Sequence, residues 1–387
     1  MSVPKLRFKE FDGDWISNKI IDLADYVDYR GKTPKKVESG ILLVTAKNIK
    51  QGYLDYSVSQ EFIEPSDFDE VMRRGKVELN DVLITTEAPL GNVASVDRVD
   101  IALAQRVIKY RGKENLLDNL FLKQKFLSES FQEILQSKAT GGTVQGIKGS
   151  VLHQIPLVVP SKPEQTKIAT FLSAVDEKIS QLTQKHELLI QYKHGMMQKL
   201  FSQQIRFKAD DGSEFGEWEE KELHQIFQIK AGGDIDKSSV SEIKTSEFSY
   251  PIFANSDKNK GFYGWANKFK YKEAVTVTGR GNLGIAVARN EPFYPIVRLL
   301  ILLPLVKQNL KFFEEQINLL DIVSESTGVP QLTAPQLSKY KVNVPCLEEQ
   351  TKIANFLTAI DQKIEVVAQQ IQQAKLWKKG LLQQMFV

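Results

Sequence analysis

The stretch PEQTKIATFLSAVDEKI at residues 163–179 returns as EEQTKIANFLTAIDQKI at residues 348–364. The second copy lies 185 positions after the first, and 12 of the 16 positions from Glu164 to Ile179 are identical. The offset continues without a gap to Phe201 and Phe386. So many identities do not arise by chance, and the chain therefore contains an internal duplication.

Apolar residues recur in both copies at alternating spacings of four and three, which predicts long helices with a narrow apolar seam, typical of coiled coils. At about 1.5 Å per residue, roughly 40 residues form a rod on the order of 60 Å long. Two such rods bury their seams most simply against each other, and a lysine in the seam fixes register while its stem keeps the charge in water. The residues predicted to pair the helices and to dock partners are Ile168, Leu172, Val175, Ile179, Lys193, Ile353, Leu357, Ile360, Ile364 and Lys378.

The segments that flank the helices are also repeated. RFKEFDGDW at residues 7–15 returns as RFKADDGSEFGEW at 206–218, and the stretch 141–160 is echoed by 328–345. Each helix is preceded by an alternating apolar strand and a proline, and Ser161, Pro163 and Glu164 predict an N-cap, a first-turn proline and a capping-box carboxylate. The predicted segments are a domain at 1–160, a helix at 161–205, a domain at 206–345 and a helix at 346–387.

Between these flanks the two copies diverge into short β-branched runs separated by Gly, Pro and Asn turns. Val82–Thr86 and Ala274–Thr278 are the clearest strands, and one amphipathic helix is predicted in each copy, at Asn119–Gln136 and Leu305–Asp321. The predicted fold is α+β: two similar domains separated by two long helices that pack as an antiparallel coiled coil, with pseudo-twofold symmetry.

The composition favours an ordinary soluble protein. The 387 residues are 42% hydrophobic and 26% charged, and the single cysteine, Cys346, excludes an internal disulfide and suits a reducing cytoplasm. The first residues lack an apolar signal segment, and the longest apolar run, Leu299–Val306, is too short to span a membrane. We expect a cytoplasmic chain with no membrane partner. The net charge of +3 neither requires nor excludes nucleic acid.

Basic and aromatic residues alternate most densely in Lys258–Lys272, which reads KNKGFYGWANKFKYK. Lysines can neutralise phosphates while aromatic rings meet sugars or bases, so this mixture suits a nucleic-acid groove. The alternative is a solvated hairpin whose aromatic side chains turn inward.

Motifs that suggest catalysis are incomplete. Gly279, Gly281 and Gly284 spell G-x-G-x-x-G, but Pro292 interrupts the helix that should follow, so a hairpin turn is expected instead of a cofactor loop. The histidines have no spacing that would place two metal ligands on one helix face. We expect no catalytic residue, no metal and no cofactor on this chain.

Two variable basic domains joined by two repeated helices resemble the specificity subunit of type I restriction-modification enzymes. The resemblance covers the whole chain. It depends mainly on EQTKIA at 164–169 and 349–354, the FL-x-A-x-D-x-KI continuation, and the helix ends KHGMMQKLF and KKGLLQQMF. GKTP at 31–34, and TEAPLG beside TGRGNLG, add weaker support.

The resemblance implies a non-catalytic targeting subunit. Each domain would read one half of a bipartite, asymmetric site in double-stranded DNA, and the helices would dock two methyltransferase subunits. S-adenosylmethionine, ATP and Mg²⁺ would belong to those subunits and to the restriction subunits, which translocate and cut DNA. The competing hypothesis is a structural adaptor that recruits partners through its repeated helices and never binds DNA.

Candidate DNA contacts follow from the preference of arginine for guanine, of asparagine and glutamine for adenine, and of lysine for phosphate. They are Lys32, Lys47, Asn48, Thr86, Arg106 and Lys148 in the first domain, and Lys260, Tyr263, Lys268, Arg280, Asn282 and Gln331 in the second.

Overall fold

A computed structural model of the chain describes residues 4–29, 34–322 and 330–386. The chain forms two units: Met1–Thr183 with Gln369–Val387, and Gln184–Ala368. Each long helix therefore contributes one half to each unit. These units differ from the four predicted segments because each helix half packs into a domain core.

The first unit combines sheets and helices, as the predicted α+β class requires. Its strands are β1 (Ile16–Lys19), β2 (Ala24–Asp28), β3 (Ile41–Val44), β4 (Phe62–Ile63), β5 (Val82–Thr86), β6 (Leu90–Ser95), β7 (Ile101–Leu103), β8 (Val107–Gly112) and β9 (Pro156–Val159). Its helices are α1 (Ile20–Leu23), α2 (Phe68–Val71), α3 (Asn119–Leu127), α4 (Glu129–Ser137), α5 (Gly149–Leu152) and the first half of α6 (Lys162–Phe201).

An antiparallel sheet in the order β2-β8-β5-β6 forms the centre of this unit. The predicted strand Val82–Thr86 is its β5, and it is buried along its whole length because β8 and β6 flank it. One face packs against α3 and α4, and a second sheet, β4-β3-β7, shares the core of the other face. The helix predicted at Asn119–Gln136 is broken at Ser128, whose extended backbone and hydroxyl cap α4.

The second unit repeats this plan. Its strands are β10 (Glu219–Glu222), β11 (Phe227–Ala231), β12 (Val240–Ser241), β13 (Tyr250–Phe253), β14 (Phe262–Ala266), β15 (Ala274–Thr278), β16 (Ala286–Arg289), β17 (Tyr294–Pro295), β18 (Leu299–Pro304) and β19 (Lys341–Val344). Its helices are α7 (Leu223–Ile226), α8 (Leu310–Ile317), α9 (Ala334–Leu337) and the first half of α10 (Leu347–Met385), together with the second half of α6.

The central sheet β11-β18-β15-β16 has the same order as its counterpart in the first unit, and β12-β14-β13-β17 forms the second sheet. The predicted helix Leu305–Asp321 is shorter, because α8 begins only after Asn309, whose side chain accepts a hydrogen bond from the Phe312 N–H. Gly281 and Gly284 have φ of +74° and +80° in the β15–β16 turn, a region that favours glycine. The predicted hairpin turn is therefore present.

Each long helix begins at a buried joint. The Glu164 carboxylate accepts two hydrogen bonds of 2.7 Å from the Arg7 guanidinium and one from the Trp15 indole. In the second unit Glu349 receives the same contacts from Arg206 and Trp218. The predicted capping-box role of Glu164 is therefore wrong, because its carboxylate ties the helix to the start of the domain.

The neighbouring glutamine completes the joint. The Gln165 amide donates to the backbone carbonyls of Leu116 and Pro160 and accepts from the Asp118 N–H. Gln350 likewise donates to the Pro345 carbonyl and accepts a backbone N–H from the loop before α8. The repeated EQ pair is thus a structural element that anchors each domain to its helix.

The helix halves run antiparallel inside each unit. In the first unit the early part of α6 and the end of α10 contribute to one core, and Phe171 packs edge-on against Trp377 with ring centroids 6.1 Å apart. In the second unit Met197 and Leu200, near the end of α6, share a core with residues from the start of α10. The predicted antiparallel helix pair is confirmed.

We predict that Glu349→Ala lowers the free energy of unfolding of the second unit by about 3–5 kcal/mol, because it leaves the Arg206 charge without its carboxylate partner and the Trp218 indole without its acceptor. Urea denaturation followed by tryptophan fluorescence measures the change. Glu348→Ala is the matched control, since its exposed side chain should matter by only about 0.5 kcal/mol. Equal effects of the two variants would contradict the joint.

Candidate nucleic-acid interface and helix seam

The turn between β15 and β16 is held in place by Asn255. Its Oδ1 accepts hydrogen bonds from the N–H groups of Gly279 (2.6 Å) and Arg280 (3.1 Å), and its Nδ2 donates to the Arg280 carbonyl (2.8 Å). The backbone of the turn is therefore fixed by one side chain from a neighbouring loop. The role of Asn255 could not be predicted from the sequence, because the only signal that this residue gives is the general preference of asparagine for loops.

Three predicted contacts of the second unit come together at this turn. Arg280 is half-buried and forms an isolated antiparallel bridge with Gln331, which is exposed. Asn282 is also exposed, and its amide donates to the Asp257 carboxylate at 2.6 Å, which lowers the pKa of Asp257. The turn thus presents a guanidinium and two side-chain amides within one short region.

The basic stretch after Asp257 divides between surface and core. Lys260, Tyr263 and Lys268 are exposed, and the Tyr263 side chain is 60% accessible. Trp265 instead packs against a neighbouring phenylalanine, with Lys244 above its ring at 4.7 Å. Both hypotheses for this stretch therefore describe part of it: some aromatic residues turn inward, while Tyr263 and the lysines remain available to a ligand.

In the first unit Lys47, Lys148 and Arg106 are exposed. Arg106 precedes β8 with φ of +70°, and its guanidinium lies 3.7 Å from the Glu87 carboxylate. This side chain is 55% accessible and therefore reaches beyond the sheet. Lys148 stands at the start of α5. Lys47 and Arg106 therefore lie in loops next to buried strands, and Lys148 lies directly before α5.

Two predicted contacts of the first unit are internal. The fully buried Asn48 accepts from the Thr45 N–H and hydroxyl and donates to the carbonyls of Asp55 and Ser59. Thr86 is also buried, and its hydroxyl donates to the Arg106 carbonyl. The Asn48 amide is fully hydrogen-bonded, and the Thr86 hydroxyl is buried with its proton already donated. Both residues are therefore withdrawn from the interface.

Lys32 lies outside the described residues, as does most of the GKTP motif.

The apolar seam residues are packed in the cores that the two helices share with the domains. Ile168, Leu172, Val175, Ile353, Leu357 and Ile360 are buried, and Ile179 and Ile364 are half-buried against the same cores. Burial leaves the six buried side chains little surface for a partner. Their packing in the cores fits the predicted role in pairing the helices, and the docking role stays a prediction.

The lysines of the seam form ion pairs. Lys378 lies 2.6 Å from Asp176, and Lys193 lies 2.7 Å from Asp361. These pairs occupy equivalent positions in the two copies, since both lysines and both aspartates are separated by 185 residues. The expectation that the charges remain in water was wrong, because the lysine side chains are only 13–17% exposed. The aspartates belong to the repeated motif, which was the signal that the sequence analysis overlooked.

In the second unit this pair extends into a cluster with α8. Lys193 also contacts Glu315 at 2.8 Å, and Lys311 contacts both Glu315 and Asp361. Burial opposes the charge of Lys311, but Glu314 and Glu315 outweigh it and raise its pKa. Burial alone would raise the pKa of Asp361, yet hydrogen bonds from Lys193 and Lys311 lower it.

Two kinds of feature are absent from the part of the chain that the structure describes. No group of three His, Cys, Asp or Glu side chains there could hold a metal ion. Among the same residues, no helix combines the length and apolar character needed to cross a bilayer.

Comparison with known proteins gives consistent matches. The family model described as the type I restriction modification DNA specificity domain matches twice, at residues 13–191 and 216–376. The type I restriction enzyme MjaVIII specificity subunit of Methanocaldococcus jannaschii is 24% identical over 416 aligned positions, which cover 97% of this chain and 94% of that protein.

Two further proteins extend the comparison. A relative from Mycoplasma pneumoniae, provisionally named as a type I specificity subunit, is 28% identical over 249 residues, 64% of this chain and 65% of its own length. The chain thus spans just under two thirds of that relative. The crystal structure of the type I restriction-modification system S subunit from M. genitalium has a TM-score of 0.65 at 20% identity, covering 100% of this chain and 99% of its own.

We predict that acid lowers the free energy of unfolding of the second unit partly because Asp361 becomes protonated. Its pKa is lowered in the folded protein, so its contribution to stability is complete above the unfolded pKa of about 3.9 and is lost as the pH falls through the folded value. Asp361→Asn should therefore flatten the decline in unfolding free energy below about pH 4. Urea denaturation at several pH values measures this slope, and an identical slope in both proteins would contradict the seam cluster.

Proposed function

Because the specificity-domain model matches this chain twice and covers most of the chain, the chain belongs to the type I restriction-modification DNA specificity family, and we propose that it reads an asymmetric, bipartite DNA site. Each unit would recognise one half of the site. The observation that supports this proposal most directly is the contrast between the repeated and the unlike parts of the two units. The joints, the seam ion pairs and the central sheets recur, whereas the loops that carry the exposed cations differ.

The proposed base contacts lie where rigid backbone meets exposed polar groups. In the second unit Asn255 fixes the turn that carries Arg280 and Asn282, so the guanidinium and amide are presented from a positioned backbone. Arginine donates two hydrogen bonds to guanine, and asparagine pairs with adenine in the same bidentate manner. Arg106 has the corresponding role in the first unit, while Lys47, Lys148, Lys260 and Lys268 neutralise phosphates.

The proposed partners are two methyltransferase subunits and the restriction subunits of the complex. A surface for two copies of one protein should occur twice, and exposed aromatic residues do: Trp377 on α10 and Tyr192 on α6 occupy equivalent positions, 185 residues apart. The chain itself would direct the complex to its DNA site in the cytoplasm and would catalyse no reaction. S-adenosylmethionine, ATP and Mg²⁺ would be bound by the partner subunits.

We predict that exchanging residues 206–345 for the corresponding domain of a relative changes one half of the methylated sequence and leaves the other half intact. Methylome sequencing of cells that carry the chain with its methyltransferase partner measures both halves. The unexchanged chain is the control. A change in both halves would contradict independent reading by the two units, and methylation that does not depend on this chain would favour the adaptor hypothesis.

We predict that Arg280→Gln weakens binding of the preferred site by about 1–3 kcal/mol and relaxes the preference at one base pair. Competition binding with single-base variants of the site measures this effect. Lys221→Gln is the matched control, because it removes one positive charge that is paired with Glu219 on β10, at the base of the domain. Unchanged affinity and unchanged preference for Arg280→Gln would exclude its role in base reading.

A further inference from the structure

A small cavity lies beneath the β15–β16 turn of the second unit. Its volume is about 60 Å³, and the polar or charged residues that line it are Ser256, Asp257, Lys260, Thr276, Thr278 and Arg289. One water molecule needs only about 10–15 Å³ of cavity volume on the same scale. This cavity therefore has room for a small tetrahedral oxyanion. A nucleobase is too large for it.

Arg289 forms the charged wall of the cavity. The residue is only 9% exposed, and its Cζ lies 3.5 Å from the centroid of the Phe253 ring. Its Nε donates to the Thr276 hydroxyl at 3.1 Å, and one terminal nitrogen donates to the Lys260 carbonyl at 2.5 Å. Among the described residues, no carboxylate lies within 4 Å of this guanidinium, which is unusual for a buried cation.

The cavity offers donors that the protein does not use. A guanidinium has five N–H groups, and only two hydrogen bonds from Arg289 are formed with described residues. Lys260 has an exposed ammonium with no ion pair in the part of the chain that the structure describes. The Ser256 hydroxyl accepts from the Lys258 N–H, which leaves its own proton available. All three residues line the cavity.

The remaining polar groups of the lining are already paired. The Thr276 hydroxyl donates to the Val287 carbonyl, and the Thr278 hydroxyl donates to the Asn282 carbonyl. Asp257 accepts from the Asn282 amide, so its charge is directed toward the turn. With two cations and one anion the lining has a net charge of +1. Burial lowers the pKa of Arg289 to about 10 against the opposing effect of the Glu314 charge, so Arg289 remains protonated at neutral pH.

We propose that this cavity binds one phosphate group, with Arg289, Lys260 and the Ser256 hydroxyl as its donors. The inference rests on the proposed function, because that function makes a phosphate of the DNA backbone the expected source. The proposed site occurs in the second unit alone, because the first unit has no arginine at the position of Arg289. In the first unit, the strand position that corresponds to Arg289 is Ser95, which pairs with the first residue of β5 as Arg289 pairs with the first residue of β15.

The bound phosphate also gives Lys260 a second role. The carbonyl of Lys260 accepts from Arg289 while its backbone adopts φ of +51°. A phosphate that bridges the Lys260 ammonium and the Arg289 guanidinium would hold the backbone around Lys260 in place. Arg289 would therefore contact the ligand and, through its hydrogen bond to the Lys260 carbonyl, also hold the loop that carries Lys260.

Two titrations of the full chain test the proposal. In the first, inorganic phosphate should raise the midpoint of thermal unfolding progressively with its concentration, whereas sodium chloride at equal ionic strength should not. Arg289→Gln and Lys260→Gln should each abolish most of this rise. Because Arg289→Gln could impair folding, Lys260→Gln, at an exposed position, keeps the test decisive. A rise that persists in Lys260→Gln, or no rise in the wild type, overturns the cavity as a phosphate site.

The second titration measures DNA affinity against salt concentration. Loss of one phosphate contact should reduce the slope of log K against log salt by about 0.9, and should weaken all sequences equally. Lys260→Gln should show this reduction without a change in the preferred sequence. If phosphate binding is lost but the slope is unchanged, the source is free phosphate and the DNA assignment is overturned. If the wild type prefers no DNA sequence, the proposed function fails while the first titration still decides the cavity.

Discussion

The antiparallel pairing of α6 with α10 is the interaction on which the rest of the structure depends. Each unit is complete only when the first half of one helix meets the second half of the other, because the apolar seam residues of both halves enter a single core with the domain. The Lys378–Asp176 and Lys193–Asp361 pairs fix the register of these contacts. A buried ion pair adds little net stability but strongly disfavours alternatives that would leave one charge unpaired.

This arrangement separates what must stay constant from what can change. The joints made by Glu164 and Glu349 anchor each domain to its helix, and the central sheets repeat the same strand order. The loops that carry the exposed cations repeat neither the joints nor the strand order, and the cations themselves face solvent. If the two units read DNA as proposed, these loops could vary without disturbing the joints and the helix pair.

The sequence predicted the helices, the seam and the hairpin because each depends on local periodicity or on a residue with a strong backbone preference. Interactions between distant residues were not accessible in this way. Asn48 and Thr86 have residue types that bind DNA, but their burial is decided by neighbouring loops. The role of Glu164 was misassigned because Arg7 and Trp15 approach it from 149 or more positions away. Asn255 and Arg289 were missed for the same reason: a lone residue gives no pattern.

A double-mutant cycle on Lys378 and Asp176 tests the helix pairing most directly. Lys378→Gln and Asp176→Asn are made singly and together, and the free energy of unfolding of each protein is measured in urea. The structure predicts a coupling of about 0.5–3 kcal/mol, as expected for residues in direct contact. Additive effects of the two substitutions would mean that the first half of α6 does not face the end of α10, and the account of both units would be contradicted.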